Sequence, residues 1–382
     1  MLVLGGGGTV RAFDAPGPAA DDGEMLAEGA LWPTAHGSGD ALAVVRLRRD
    51  AEGASADIEV LGAGRSPRPI PGSRRRTFIA PRLPIYGMWS PAGDYVSFVA
   101  ADGTALGLYS WAPQQGDREA TPLASGMPIF HAWHPRGSAV AVHAGEQLSL
   151  VKPDGSDRLV LARQVGGFRA PAWNSDGRLL AWAQAAGTTT RIRLHAGGES
   201  SEVAGFAGGV ALAFRPDATE LAVAVAGNPA SGVFEALYLV TTESSSAPRR
   251  IARGPFAAFA WAPAGDRVAL VVPAQTGDGR YVVEIRDADG AVAAVSEAFV
   301  PSQDTRTALG FFDQFSLSHP WWEPGGAGIV LCGRLAGDAV SSSFGDAEGP
   351  YAIWWPATRA APLSLVAPAE FACFATPGPG LM

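Results

Sequence analysis

The sequence predicts an all-β protein, and three observations support this. An aromatic residue, a turn with proline and glycine, and an alternating apolar strand recur eight times, most clearly in Trp89–Val96 and Trp261–Val268. The recurrences are 40 to 61 residues apart, and no segment shows a sustained period of 3.6 residues. A repeat of this length made of strand patterns predicts a single β-propeller of eight four-stranded blades, with seven blades as the alternative.

The units of the repeat are numbered by their aromatic position, which we call the anchor. From unit one to unit eight the anchors are His36, Trp89, Trp133, Trp173, Phe214, Trp261, Trp322 and Phe374. His36 and Phe374 are the degenerate copies. The distance from Phe374 through the C terminus and on from the N terminus to His36 equals a normal step, so the predicted ring closes on itself.

Each unit is predicted to contain strands A to D. The anchor ends strand A, where its ring can fill the wedge between neighbouring sheets. A turn such as Pro91–Asp94 follows, because glycine adopts positive φ and proline fixes its own φ. Strand B alternates, as in Leu221–Val225, and strand C follows, as in Ala236–Leu239. Strand D is short and ends in a Leu-x-x-Gly phrase such as Leu123–Gly126.

The closing unit is predicted to combine both ends of the chain. Strand A comes from Glu370–Phe374, and strands B to D come from Leu2–Leu4, Thr9–Asp14 and Met25–Gly29. The whole chain, residues 1–382, is therefore expected to form one domain, closed by a blade made of about residues 366–382 and 1–30. Joining the termini in one sheet would remove sheet edges that otherwise template aggregation.

Composition excludes several classes of protein. The chain has 47% hydrophobic and 17% charged residues and a formal net charge of −8, so no nucleic-acid partner is expected. No apolar run is long enough to span a membrane, and the N terminus lacks the basic start of a signal peptide. A cytoplasmic monomer is expected, or a periplasmic or secreted protein if a leader was removed. Cys332 and Cys373 are expected to be reduced and buried.

The repeat resembles a known family. The phrase Trp-x-Pro-x-Gly-x-x-Val/Leu-Ala, followed by an apolar strand and an Asp-x-x-Gly turn, resembles the WD40-like repeat of TolB-type β-propellers. It is also similar to the propellers of prolyl oligopeptidases and of dipeptidyl-peptidase IV. The resemblance implies a propeller that serves as a binding platform, a peptidase gate or, rarely, a lyase. The sequence has no Gly-x-Ser-x-Gly nucleophile elbow, which distinguishes it from the peptidases.

Candidate binding residues cluster around unit seven. Pro301–Ser318 precedes the anchor Trp322 and was expected to lead into strand A, and Ala336–Glu348 is the loop between strands B and C. Both would lie on the face that carries the D–A and B–C loops. Polar residues near the inner ends of other A strands would join them. The predicted binding residues are Phe311, Phe312, Asp313, Gln314, His319, Trp321, Ser343, Asp346, His131, Arg169 and Tyr86. The alternative is that the phenylalanines pack the insert down or cap the channel.

Two functions follow from this placement. The first is a non-enzymatic propeller that binds a protein, peptide or glycan through the loop-rich face, with no cofactor, no metal and no assigned catalytic residue. The alternative is a hydrolase or metal-dependent lyase at the channel mouth, which would use His319, His131 and Asp313. A metal site would need three or four converging ligands.

Three other segments have simpler interpretations. The arginine-rich stretch Arg65–Arg76 could contact an acidic partner or a phosphate, and is otherwise a solvated loop. Gly5–Gly8 does not complete a dinucleotide-binding pattern and is predicted to be a hairpin turn. Asp287–Gly290 lacks the further ligands of a calcium loop and is also predicted to be a turn.

Overall fold

A computed structural model describes residues 1–13, 23–36, 41–50, 53–62, 68–76, 86–102, 104–166, 169–216, 218–228, 231–243, 246–275, 277–335, 349–358 and 361–375. These residues form antiparallel strands, two short α-helices and two 3-10 turns, at Gly6–Gly8 and Pro113–Gln115. The all-β prediction is confirmed.

The first five units follow one another along the chain, each as its own antiparallel sheet. The N-terminal strands that precede them are β1 (Leu2–Leu4), β2 (Val10–Ala12) and β3 (Glu24–Ala27). Unit one contains β4 (Ala30–Ala35), β5 (Ala41–Asp50), β6 (Gly53–Gly62), β7 (Arg68–Pro69) and β8 (Arg75–Arg76). Unit two contains β9 (Gly87–Trp89), β10 (Val96–Asp102), β11 (Ala105–Trp111) and β12 (Thr121–Gly126).

Units three to five each have four strands. Unit three contains β13 (Ile129–Trp133), β14 (Val140–Ala144), β15 (Gln147–Val151) and β16 (Arg158–Arg163). Unit four contains β17 (Ala172–Trp173), β18 (Leu179–Ala186), β19 (Thr189–Ala196) and β20 (Glu199–Ala207). Unit five contains β21 (Gly209–Phe214), β22 (Glu220–Ala226), β23 (Phe234–Thr241) and β24 (Arg249–Phe256).

Units six and seven are joined in one sheet. Unit six contains β25 (Ala258–Trp261), β26 (Arg267–Pro273), β27 (Tyr281–Asp287) and β28 (Val292–Val295). Unit seven contains β29 (Phe299–Pro301), α1 (Gln303–Gly310), α2 (Phe312–Phe315), β30 (Ile329–Leu335), β31 (Tyr351–Trp355) and β32 (Ser364–Pro368). β29 pairs with both β27 and β30 and so connects the two units. The expected strand A of unit seven is reduced to one bridge between Trp322 and Ile329.

The two ends of the chain share one sheet. The last strand, β33 (Phe371–Cys373), pairs with β1, with Leu2 opposite Cys373 and Leu4 opposite Phe371. The strand order of this sheet is β3-β2-β1-β33, which is the order of strands D to A in one unit. The number of blades and the closure of the ring stay predictions.

The anchor tryptophans connect each unit to the one before it. The indole N–H of Trp89 donates to the carbonyl of Thr34 (3.0 Å), and the indole of Trp322 donates to Ala260 (3.1 Å). Trp133 donates to the hydroxyl of Ser97 in unit two (2.9 Å). In these three anchors the large ring packs between the sheets, and its single polar atom is satisfied by the neighbouring unit. The indole nitrogen of the anchor Trp261 is buried without a partner among the described residues.

The glycine of the anchor turn is required by two constraints. Gly93 has φ +75°, and a Cβ at this position would lie 2.5 Å from the imidazole of His36 in unit one. Gly177 has φ +77°, and its Cβ would lie 2.4 Å from the ring of His134 in unit three. A side chain here would strain the backbone and clash with the preceding unit.

The prediction that no segment is helical was wrong for the insert of unit seven. Residues 303–315 form α1 and α2 instead of leading into strand A. The hydroxyl of Ser302 caps α1 by accepting a hydrogen bond from the backbone N–H of Thr305 (3.1 Å). Thr305, Ala308 and Leu309 are buried at helical spacing, so the segment has an apolar helical face.

The terminal sheet generates a prediction. Leu4 is fully buried, and Leu4→Ala should lower the free energy of unfolding by about 2–5 kcal/mol, because a buried cavity replaces the side chain. Leu159→Ala is the matched control, since Leu159 is 54% exposed and should change stability by about 0.5 kcal/mol or less. Denaturant unfolding measures both variants. Equal, small effects would show that the N-terminal strand lies outside the core.

Candidate functional site

The short helix α2 lies where the inner strands of the units meet. The ring of Phe315 is 4.9 Å from Trp32 in unit one and 5.1 Å from Tyr86 next to unit two. The ring of Phe312 is 5.1 Å from Phe259 in unit six. The helix also contacts β13 and β21 of units three and five. This one helical turn therefore touches strands or flanking residues of five units, and the inner strands of a propeller surround its centre.

Gln314 replaces a strand as the hydrogen-bonding partner of unit three. Its Oε1 accepts from the backbone N–H of His131 (2.8 Å), and its Nε2 donates to the carbonyl of His131 (2.9 Å). All of these atoms are buried. The side-chain amide therefore satisfies both backbone groups of one inner-strand residue, as a neighbouring strand would.

A chain of short polar contacts fixes the segment that follows α2. The hydroxyl of Tyr86 donates to the carbonyl of Gln314 (2.8 Å) and lies 2.5 Å from the hydroxyl of Ser318. The Ser318 hydroxyl in turn lies 2.6 Å from Nδ1 of His319. Burial raises the pKa of the Tyr86 phenol, so the phenol stays protonated.

Asp313 joins α2 to the segment before β17. Its Oδ2 accepts from the backbone N–H of Ala170 (2.9 Å), and its Oδ1 lies 3.5 Å from the guanidinium of Arg169. The Asp313 side chain is fully buried, and burial raises the pKa of its carboxyl, while Arg169 partly opposes this change. The Arg169 guanidinium also lies over the ring of Phe234, 5.2 Å from its centroid.

Two histidines at the axis are held neutral. His131 and His319 are fully buried, and burial lowers the pKa of each imidazole to about 3. His131 Nε2 lies 2.9 Å from the hydroxyl of Ser97, and the ring of His319 packs 5.5 Å from Phe371. Neither imidazole carries a charge at neutral pH.

The structure brings most of the predicted binding residues together around α2. Tyr86, His131, Arg169 and His319 surround Phe312–Phe315, as the contacts above describe. Trp321 is buried in the core with Trp322. Phe311 differs, since it is 44% exposed. Ser343, Asp346 and the loop 336–348 lie outside the described residues, and a ligand-binding role for the eleven residues stays a prediction.

Beside α2 lies a cavity of about 880 Å³, which we call the axial pocket. It lies on the face that carries the D–A and B–C loops. Its lining residues are His143, Gly166, Arg169, Ala183, Ala185, Gly187, Thr188, Thr190, Ala207, Gly208, Gly209, Val210, Ala226, Gly227, Gly310 and Phe311. On the opposite side of α2 a smaller cavity of about 190 Å³ is lined by Phe312, Asp313 and the anchors Phe214, Trp261 and Trp322.

The pocket exists because strand A of unit four is short. β17 pairs with β18 only at Ala172–Ala181 and Trp173–Leu180. Ala183 and Ala185 lie further along β18, beyond this pairing, and line the pocket with small side chains. The N–H of Ala185 donates to the carbonyl of Val165 (2.7 Å). The backbone N–H of Ala170 is bound by Asp313 and not by β18.

Three side chains give the pocket its chemistry. Arg169 supplies a cation whose side chain is 26% exposed, and Phe311 supplies an exposed aromatic face. His143 is buried, and its Nδ1 lies 3.2 Å from the carbonyl of Arg169. Sequence reasoning assigned no role to His143, because its neighbours in the pocket come from other units.

The described residues give no support to a metal centre or a membrane span. Among them, no three histidine, cysteine, aspartate or glutamate side chains lie close enough to share a metal ion. In the same residues, neither helix has the length and apolar character needed to cross a bilayer. Cys332 and Cys373 are buried thiols, as expected, and burial raises the pKa of Cys373 to about 12.

No protein-family model matches the sequence, and no curated protein matches it in a sequence search. Solved structures are similar in fold. TolB from Acinetobacter baumannii is 15% identical, with 87% of this chain and 81% of that chain covered and a TM-score of 0.43. An oligogalacturonate lyase in complex with manganese is 14% identical, with 82% of each chain covered and a TM-score of 0.48.

Dipeptidyl peptidase 4 from Porphyromonas gingivalis is 15% identical, with 69% of this chain and 46% of that chain covered and a TM-score of 0.46. Two of these structures, TolB and the peptidase, belong to the groups that the Trp-x-Pro-x-Gly repeat resembles. The similarity concerns the fold alone. It assigns neither a ligand nor an activity to this chain.

The buried histidines predict acid lability. In the unfolded chain each imidazole has a pKa near 6.5, so the unfolded state binds more protons than the folded state between pH 6.5 and pH 3. Stability is complete above pH 6.5 and is lost as the pH falls, by about 2 kcal/mol for each histidine between pH 7 and pH 5. Urea unfolding at several pH values measures this loss.

The variant His319→Gln is the test of the cause. It should show about half of that pH dependence, whatever its stability at pH 7. An unchanged slope in both His319→Gln and His131→Gln would contradict the assignment.

The Gln314 pairing predicts a second stability effect. Gln314→Met keeps the volume but leaves the N–H and carbonyl of His131 buried without partners, so we expect a loss of about 2–4 kcal/mol. Gln303→Met in α1 is the control, because Gln303 is exposed and should change stability by about 0.5 kcal/mol or less. Thermal and denaturant unfolding of both variants measure these changes in stability. Equal losses of stability in the two variants would contradict the role assigned to Gln314.

Proposed function

We propose that this chain is a binding propeller, and that its ligand enters the axial pocket. The single observation that carries the proposal is the cavity of about 880 Å³ lined by Arg169, His143 and Phe311. Ligand sites in proteins are typically concave, of about 300–1,000 Å³, with few polar groups among many apolar ones. The axial pocket has this size and this composition.

The pocket walls favour a ligand that approaches the backbone closely. Most of the lining residues are glycine or alanine. At Gly208 a side chain is excluded, because φ is +89° and a Cβ would lie 2.2 Å from the carbonyl oxygen of Ala226. At Gly187 and Gly310 no atom lies within 4 Å of a Cβ position, so the wall is open there. Because these walls carry few side chains, the backbone N–H and carbonyl groups of the pocket are accessible to a peptide or glycan ligand.

The insert of unit seven contributes to this site through its first helix. Gly310 and Phe311 stand at the junction of α1 and α2 and form the inner wall of the pocket. The rest of the insert, from Phe312 to Phe315, is buried and holds that wall in place. The proposed site therefore lies at units three to five, with unit seven completing it from the axis.

Binding, not catalysis, is the function we propose. A general acid or base needs contact with the substrate and a pKa near the working pH. His131 and His319 are fully buried with pKa values of about 3, and the Asp313 side chain is fully buried on α2. The hydrolase or lyase alternative depended on these three residues, and no other observation favours it.

A pocket-filling variant tests the proposal. Ala185 is exposed in the axial pocket, so Ala185→Trp should weaken the binding of a pocket ligand tenfold or more by occupying its space. Ligands are first sought by thermal shift against a library of peptides, glycans and organic acids, and dissociation constants are then measured by calorimetry. Ala293→Trp on the exposed strand β28 is the control and should leave binding unchanged.

The outcome that contradicts the proposal is equally specific. A ligand with the same dissociation constant for the unaltered protein, Ala185→Trp and Phe311→Ala would bind elsewhere.

A further inference from the structure

Among the described residues, the guanidinium of Arg169 has too few partners for all of its donors. A guanidinium carries five N–H donors. Within the described part of the chain, the polar contact of this guanidinium is with one oxygen of Asp313, at 3.5 Å, which is long for a charged pair. That oxygen belongs to a carboxylate whose other oxygen is bound by Ala170. Donors of Arg169 are therefore available to an anion in the axial pocket.

His143 offers the complementary group. Its Nδ1 lies 3.2 Å from the carbonyl of Arg169, and a carbonyl only accepts, so in the singly protonated ring the proton is on Nδ1. Nε2 then has a free lone pair. Among the described residues this buried nitrogen has no hydrogen-bonding partner, although a buried polar atom normally has one. A ligand that donates a hydrogen bond would satisfy it.

The residues Arg169 and His143 are neighbours in the structure. The His143 side chain contacts the Arg169 backbone directly, and both residues line the same cavity. Phe311, at the junction of α1 and α2, also lines the pocket and presents an exposed ring. A matching ligand therefore has an anionic group, a donor close to it and an apolar face.

We propose that the axial pocket binds a carboxylate that carries a hydrogen-bond donor on its α carbon, with the carboxylate on Arg169 and the donor on Nε2 of His143. The planar guanidinium fork favours a planar carboxylate, which it can bind through two parallel hydrogen bonds. This inference rests on the proposed function, because it assigns the ligand class of the same pocket. Hydroxy acids and peptide C termini share this chemistry.

A matched set of small probes tests the ligand class on the unaltered protein. Phenyllactate has the carboxylate, the α-hydroxyl and an aromatic ring for Phe311. Phenyllactamide replaces the carboxylate by a neutral amide, and phenylpropionate lacks the hydroxyl. Calorimetry or ligand-observed NMR should give phenyllactate at least about tenfold tighter binding than phenyllactamide, and about threefold tighter binding than phenylpropionate.

Two further binding measurements test which kind of molecule carries the recognised groups. N-acetylphenylalanine carries an amide N–H in place of the hydroxyl, as a peptide C terminus does. Tighter binding of this probe than of phenyllactate would support a peptide C terminus, and weaker binding would support a free hydroxy acid. Displacement of phenyllactate by an equal concentration of inorganic phosphate would overturn the assignment to a carboxylate.

Substitutions test which residues of the pocket contact the probes. Arg169→Gln alone would leave the Asp313 carboxylate buried without its counter-ion, so it is combined with Asp313→Asn. The double variant should bind phenyllactate about tenfold more weakly or worse than Asp313→Asn alone, with little change for phenyllactamide. His143→Phe should remove the preference for phenyllactate over phenylpropionate, and its unfolding temperature is measured to confirm that it folds.

Failure of this inference is distinguishable from failure of the proposed function. Equal binding of phenyllactate and phenyllactamide, or no binding of any carboxylate probe at millimolar concentration, overturns the ligand class. If a library ligand of other chemistry is still lost in Ala185→Trp, the pocket remains the binding site. If Ala185→Trp changes no binding at all, the proposed function fails with the inference.

Discussion

The position of α2 on the axis is the constraint on which the centre of this molecule depends. The inner ends of the strands leave a gap there, and Phe312 and Phe315 fill it with two buried rings. Burial of an aromatic side chain contributes about 1.5–3 kcal/mol. Gln314 adds a directional element, because its amide binds the N–H and carbonyl of His131 and so fixes the rotation of the helix. The two buried rings and the two hydrogen bonds of Gln314 together hold the helix in one orientation.

This helix divides the polar groups of the axis into two sets. Tyr86, Ser318 and His319 form a closed chain with the backbone of Gln314, and their hydrogen bonds stabilise the insert. Arg169 and His143 lie on the pocket side. Among the described residues, the guanidinium of Arg169 contacts one oxygen of Asp313, and Nε2 of His143 has no partner. Nε2 of His319 in the first set also has no partner among these residues, but the His319 ring is packed among the rings of Trp32, Phe315 and Phe371. The second set differs because its residues line a cavity of about 880 Å³.

The strands could be predicted from the sequence because their signals are local. The strands of the terminal sheet could be predicted within about two residues, since Leu2–Leu4 and Phe371–Cys373 are short apolar runs. The helical insert also had a local signal, which is the helix cap at Ser302 followed by buried positions three and four residues apart. Its aromatic residues, however, resembled the aromatic pattern of a strand A. The axial pocket had no such signal. It depends on how short β17 is and on the approach of units three to five to the insert of unit seven, which is distant from them in the chain.

The same division separates binding from catalysis at this axis. A catalytic imidazole must reach the substrate and change its protonation near the working pH. The buried pair His131 and His319 does neither, because desolvation keeps both rings neutral and α2 covers them. Arg169 keeps its charge at any physiological pH, so it can hold an anion but is a poor proton carrier. A pocket built from a cation, small residues and one aromatic ring would select a ligand by shape and charge, as the proposed binding function requires.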